Sequence, residues 1–172
     1  AVLAALPTAT ILRPSVIFGP EDNFINQFAC MASIAPALPL IGGGRTRFQP
    51  VYVADVASAV HSCLKQADAA GQIYELGGPQ IYTFKEILEY ILHITGRRRK
   101  LVNLPFGIAG IAGSASEILP RPPLTRDQVQ LLKHDNVVSP STKGFATLGI
   151  SPVAMDVVVP EYLARFARKV AA

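Results

Sequence analysis

The chain has 172 residues, half of them hydrophobic and 16% charged, with a formal net charge of +4. That apolar share supports a packed core and excludes disorder over most of the length. The charge excess is too small to argue for nucleic acid, which is not expected as a partner.

The opening AVLAALPTAT has no initiator methionine and no basic n-region, so it reads as a helix cut partway along and not as a signal peptide. Thr10 to Phe18 predicts a strand bent near its end by Pro14, because proline cannot donate to a sheet ladder. After Gly19-Pro20, Asp22 is placed to cap a helix whose apolar positions are Phe24, Phe28 and Met31. Pro36 and Pro39 are expected to end it. Gly42 to Gly44 predicts a mobile loop; a three-glycine run can also cradle an anion. Phe48 to Val53 is extended, and Asp55 is expected to cap a helix reaching about Gln66, with Val56, Val60, Cys63 and Leu64 as its apolar face.

Gln72 to Leu76 is a short strand. Thr83 and Glu86 then form a capping box, with Tyr82 and Ile87 placed as a hydrophobic staple and Gly96 as the C-terminal cap. Lys100 to Leu104 predicts a strand, and Phe106 to Ile118 a helix of small residues. Pro120, Pro122 and Pro123 make a stiff connector. Thr125 and Gln128 spell a second capping box, for a helix reaching His134, and a last helix runs from about Asp156 or Pro160 to Val170. The apolar runs are too short to cross a bilayer, which takes about 18 residues or more. Cys30 and Cys63 sit in apolar patterns and read as reduced, buried thiols, as in an intracellular compartment. His61, His93 and His134 lie on separate helices, and no Cys/His spacing suggests a metal.

Three segments carry a family resemblance. Leu12-Arg13-Pro14-Ser15-Val16-Ile17-Phe18-Gly19-Pro20 resembles the LRPxxVYGP segment of extended short-chain dehydrogenases/reductases. Arg47 to Ala57 (RFQPVYVADVA) resembles their RxFxxVxDVA segment, and Tyr74 to Gly78 the strand and turn that follow. Order and spacing agree jointly, although each piece alone is weak. A narrower similarity, to the branch related to the Rossmann-type accessory subunit of respiratory complex I, rests on RPSVIFGPEDNFINQFA, on Leu104-Pro105-Phe106 and on Leu124 to Leu132.

The resemblance implies an α/β fold: the C-terminal part of a Rossmann-like domain with a smaller, mainly helical part that binds substrate or a partner. Residues 1–19 and 51–78 would be the Rossmann side, and 20–50 and 79–172 the smaller part. It implies NAD or NADP in the intact parent, with Pro14, Ser15 and Val16 walling the nicotinamide. Asn23 and Phe24 would face the substrate, and Arg47 a substrate phosphate; an ion pair between loops is an equal reading of Arg47.

Two functions follow. One is an NAD(P)-binding accessory or assembly protein of the complex I type, peripheral at the inner membrane on the mitochondrial matrix side if the source is eukaryotic, and otherwise cytoplasmic. The other is a nucleotide-sugar epimerase, dehydratase or reductase. A quinone-related small molecule and a membrane-surface or respiratory-complex contact are the further partners implied.

The family's YxxxK catalytic pair is not present. The residues four after the tyrosines are Val56, Gly78, Glu86, Ile94 and Phe166. In the family this motif lies upstream of the strand near Thr10, as does the pyrophosphate loop, so this chain alone is expected to bind dinucleotide weakly. Gly107, Gly110 and Gly113 spell the loop's GxxGxxG with Asp127 downstream, but the spacer containing Pro120 to Pro123 cannot form the required second strand, so close helix packing is the better account. Arg97-Arg98-Arg99-Lys100 reads as a solvated turn, or as a contact for anionic lipid or a partner because an apolar stretch follows it.

Overall fold

The computed structural model describes residues 2–116 and 126–168. The Pro120 to Pro123 connector and Thr125 of the second capping box lie outside them. Val2–Ala5 (α1) leads into β1 (Ile11–Pro14), which pairs in parallel with β6 (Ile73–Leu76). The ladder breaks after Pro14 and resumes as β2 (Ile17–Phe18), parallel to β5 (Val51–Tyr52). The expected single strand is therefore two, divided at the proline.

Helix α2 (Ile25–Ile34) starts where the Asp22 carboxylate accepts the N–H groups of Ile25 at 2.6 Å and Asn26 at 3.1 Å. It is followed by a strand not foreseen from sequence, β3 (Ala37–Ile41), parallel to β8 (Lys100–Leu104). Pro39 lies inside β3, at a position tolerated because proline can occupy an edge strand. Gly42–Gly44 forms a tight 3-10 turn with positive φ at all three glycines. Antiparallel β4 (Arg47–Phe48) and β7 (Tyr82–Thr83) then bring the start of α4 (Phe84–Ile94) against that turn.

Helix α4 carries the features its sequence announces. The Thr83 hydroxyl accepts from the Glu86 N–H at 3.2 Å, while the Glu86 carboxylate accepts from the Thr83 N–H at 2.6 Å. That N–H, with the Thr83 hydroxyl, holds the Glu86 carboxyl below the usual range. Tyr82 packs on the cluster that contains Ile87, and Gly96, at φ 63°, terminates the helix as the Arg97 N–H reaches the Leu92 carbonyl at 2.9 Å.

Helix α3 (Val53–Lys65) departs from expectation. Asp55 does not cap it; buried, it accepts the Val153 N–H at 2.7 Å. That turns Ala59, with Val56 and Cys63, toward the interior and leaves Val60 44% and Leu64 82% exposed. Cys30 is likewise exposed, on the side of α2 away from buried Phe28, Ala29 and Ala32, while Cys63 is half-buried and burial pushes its thiol up.

Two apolar clusters result. The smaller joins Val51, Ala59, Ala69, Tyr74 and Leu76 to Phe145 and Leu148 of a 3-10 turn. The larger joins α2, β3 and α4 to α5 (Phe106–Ser116), α6 (Arg126–Leu131) and α7 (Met155–Leu163). Between α6 and the Phe145 turn, the chain runs beside the β4–β7 and β1–β6 pairs, with bridges from Asn136 to Phe48 and from Lys143 to Tyr74.

Arg97 and Arg99 are not in a solvated turn. The Arg97 Nε donates to the Phe166 carbonyl at 3.0 Å, and the Arg99 Nε to the Ala32 carbonyl at 3.0 Å. They satisfy carbonyls that helix ends leave open, while Arg98 and Lys100 remain exposed.

Candidate functional site

A cavity of 660 Å³ opens where the end of β1, the start of α2 and the stretch after α6 converge. Val16 and Phe24 both line it, so two of the residues singled out from sequence meet there. Phe28 and Phe48 continue the wall, Phe24 lying 5.5 Å from each, centroid to centroid. Leu131 and Leu132 close the opposite side, held in place as the Thr46 hydroxyl donates to the Leu132 carbonyl.

The remaining singled-out residues lie elsewhere. Pro14 and Ser15 border a separate recess of 210 Å³ with Glu75 and Val138. Asn23 lines a third, of 500 Å³, beside Gly19 and Val53. Ser15 is buried and fully engaged by the protein. Its N–H donates to the Leu76 carbonyl at 2.9 Å, and its hydroxyl donates to the Asn136 carbonyl at 2.7 Å. The Val16 carbonyl accepts the Val51 N–H at 3.0 Å.

Arg47 is the ion pair between loops. Its Nε and its terminal nitrogen lie 2.8 Å from one Asp135 oxygen, and its N–H donates to the other at 2.8 Å. That N–H, then the guanidinium, holds the Asp135 carboxyl below the usual range. Asp135 itself lines the large cavity.

Sequence reasoning missed the contribution of residues 127–136, which supply Asp127, Leu131, Leu132, His134, Asp135 and Asn136 to the cavity. It also missed Gln49. The Gln49 side chain donates to the Gly78 carbonyl at 2.8 Å and accepts from the Val138 N–H at 3.1 Å, fastening the stretch after α6 to the end of β6.

The glycine triplet does not form a phosphate loop. Gly107 and Gly110 lie within α5, not in a turn before it, and a Cβ on either would meet nothing within 4 Å. A pyrophosphate loop needs its glycines for turn and close approach. Gly107 and Gly110, inside α5, therefore do not form that loop. Among them no three His, Cys, Asp or Glu side chains gather as metal ligands, and no helix is long and apolar enough to cross a membrane.

The mixed fold, the proline-broken strand and the cleft after it define a Rossmann-like α/β protein. A family model for the NAD-dependent epimerase/dehydratase family matches residues 7–77. The chain belongs to this family, the extended short-chain dehydrogenases/reductases.

Among curated proteins it is 37% identical to NADH dehydrogenase [ubiquinone] 1 alpha subcomplex subunit 9 of Arabidopsis thaliana, over 96% of this chain and 44% of that protein. It is 33% identical to the NADH-ubiquinone oxidoreductase 40 kDa subunit of Neurospora crassa, over 94% and 42% respectively. The chain thus spans under half the length of these relatives. Among solved structures, dTDP-glucose 4,6-dehydratase of Bacillus anthracis in complex with NAD superposes with a TM-score of 0.63 at 18% identity, over 90% of this chain and 43% of that one. UDP-glucose 4-epimerase of Thermotoga maritima with UDP-glucose gives 0.63 at 18%, over 92% and 46%. At that identity the likeness shows the fold.

Proposed function

We propose that the chain is part of an NAD(P)-binding accessory or assembly protein of respiratory complex I, in which the dinucleotide is a structural element and is not turned over. The observation that carries this reading is the 37% identity to a complex I subunit along 96% of the chain, against 18% for the sugar-nucleotide enzymes that share the fold. The engagement of Arg47 by Asp135 supports it, because a guanidinium already paired through two nitrogens with a carboxylate oxygen is less available to a substrate phosphate. The dinucleotide, NAD(H) or NADP(H), would lie mainly on residues outside this chain, with Pro14, Ser15 and Val16 near its nicotinamide end as support for that wall. The two apolar clusters follow in part a division into a Rossmann side (1–19, 51–78) and a smaller part (20–50, 79–172), with Phe145 to Ile150 returning to the first and Val16, Phe18 and Tyr52 packing in the second. The mitochondrial relatives favour the matrix face of the inner membrane as location.

The test is made on the full-length protein carrying this chain. It is expected to copurify with the assembled complex, and its deletion to deplete that complex, while dTDP-glucose and UDP-glucose are not converted. Turnover of either sugar nucleotide, with an intact complex in the deletion strain, would replace this reading by the enzyme one.

A membrane-facing surface belongs to the same proposal. Exposed Arg98 and Lys100 precede exposed Val102, Ile108 and Ile111 on β8 and α5. Basic residues near anionic lipid contribute about 1 kcal/mol each, and apolar insertion adds to that. Arg98→Gln with Lys100→Gln should therefore weaken cosedimentation with anionic vesicles at low salt by roughly thirtyfold. Arg97 and Arg99 are unsuitable for this test because they hold backbone carbonyls. Unchanged sedimentation of the double variant would remove lipid as the partner of this surface.

A further inference from the structure

The chemistry of the 660 Å³ cavity departs from what a sugar nucleotide requires. Drug-sized ligands are held by apolar walls with a few placed polar groups, whereas a pyrophosphate needs cations or free N–H donors. Here the wall is Phe24, Phe28, Phe48, Val16, Leu131 and Leu132. The ring faces are rigid: Phe24 and Phe28 also pack on the buried Phe84, at 6.2 and 5.2 Å between centroids.

Several polar groups at the rim are already partnered within the protein. Asp135 is bound by Arg47, and Gln128 lies against Gln27 at 2.8 Å. The Asn136 backbone donates to the Arg47 carbonyl at 2.8 Å and accepts from the Gln49 N–H at 3.0 Å. The titratable groups in the lining are Asp127, His134 and Asp135, the last paired with Arg47. An anionic diphosphate entering here would lose hydration against the aromatic wall and meet the Asp127 carboxylate, which costs free energy unless the charge is paired. An uncharged hydrocarbon body loses nothing at such a rim and gains burial at about 25 cal/mol per Å².

We propose that this cavity binds an uncharged, hydrocarbon-rich small molecule and excludes nucleotide sugars. The inference rests on the accessory-protein reading in one respect: the cleft performs no sugar chemistry. It goes beyond that reading in giving the cleft a ligand class of its own.

The probe is N-phenyl-1-naphthylamine, a neutral aromatic dye, titrated by fluorescence into the full-length protein. Saturable, enhanced emission is expected. Leu131→Glu should weaken it at least tenfold, with the far-ultraviolet circular dichroism unchanged because Leu131 is 67% exposed. Phe24→Ser, which opens the wall without touching the rim, should also weaken it. UDP and inorganic pyrophosphate should leave the dye bound. Absence of saturable binding, binding indifferent to both substitutions, or displacement of the dye by UDP would each overturn the proposal. None of these readouts depends on complex assembly or sugar turnover, so failure here is distinguishable from failure of the accessory-protein reading.

Discussion

Gly78→Ala is expected to lower stability by about 3 kcal/mol or more, at the upper end of what overpacking costs. The reason is space and not backbone angle. A Cβ on Gly78 would sit 1.9 Å from the Pro50 carbonyl oxygen and 3.7 Å from the Val51 Cα. Backbone cannot swing aside as a long side chain can. Relief requires the exit of β6 to retreat from the Gln49-Pro50 loop. That retreat would break two bonds that join them, from the Gln49 side chain to the Gly78 carbonyl at 2.8 Å and from the Gly78 N–H to the Gln49 carbonyl at 3.3 Å. It would also disturb Val51, fully buried in the smaller cluster. In thermal unfolding of the intact protein this corresponds to a midpoint lower by roughly 6–12 °C. Gly107→Ala is the control. Gly107 is exposed in α5 and nothing lies within 4 Å of its added Cβ, so alanine should be neutral or stabilise by up to about 1 kcal/mol. Similar midpoints for the two variants would show that the approach of Pro50 to Gly78 does not constrain the fold.

The contrast between these glycines also separates what the sequence made readable from what it did not. Local devices were readable because both partners lie within a few residues: the Thr83–Glu86 box, Gly96 as the helix stop, and Asp22 at the start of α2. The family segments added the fold, since the strand, turn and helix they imply are those observed from Ile11 to Lys65. Strand β3 was hidden because Pro36 precedes it and Pro39 lies within it, and its stabilising partner, β8, starts 63 residues after its own first residue, Ala37 with Lys100.

The orientation of α3 was misjudged for a related reason. Asp55 reads locally as a cap, but its acceptor role is fixed by Val153, 98 residues away. The site shows the same limit. Phe24 and Val16 could be singled out by resemblance, whereas Asp135 and Leu131 could not, because only folding brings residues 127–136 to them. Arg47 pairs with Asp135, a partner 88 residues downstream that no local pattern announces. Long-range polar pairs carry no periodicity, and periodicity is the main signal that a single sequence offers.

Asp22→Ala is expected to cost about 2–4 kcal/mol, because one carboxylate serves two distant parts of the larger cluster. Its Oδ1 takes the first N–H groups of α2, and its Oδ2 takes the Gly19 N–H at 3.3 Å and the Tyr162 hydroxyl at 2.8 Å. Losing a helix cap of this kind costs about 1 kcal/mol, and the negative charge also suits the helix N-terminus. The larger part comes from Tyr162. It is 9% exposed in α7, and burial, then the Asp22 charge, pushes its phenol well above the ordinary range, so it remains a neutral donor. Alanine at position 22 would leave that hydroxyl without its acceptor, a penalty of about 1–3 kcal/mol. Tyr162→Phe alone should cost only about 1 kcal/mol, since donor and penalty disappear together. The double variant should then be more stable than the sum of the two single losses implies, with a coupling of about 1 kcal/mol or more. Asp22→Asn should fall between wild type and alanine, because asparagine caps nearly as well but lacks the charge. The cycle is measured by urea unfolding of the intact protein, with the m-value checked for constancy. Strict additivity of Asp22→Ala and Tyr162→Phe would mean that the turn before α2 and the last helix are held together by packing alone.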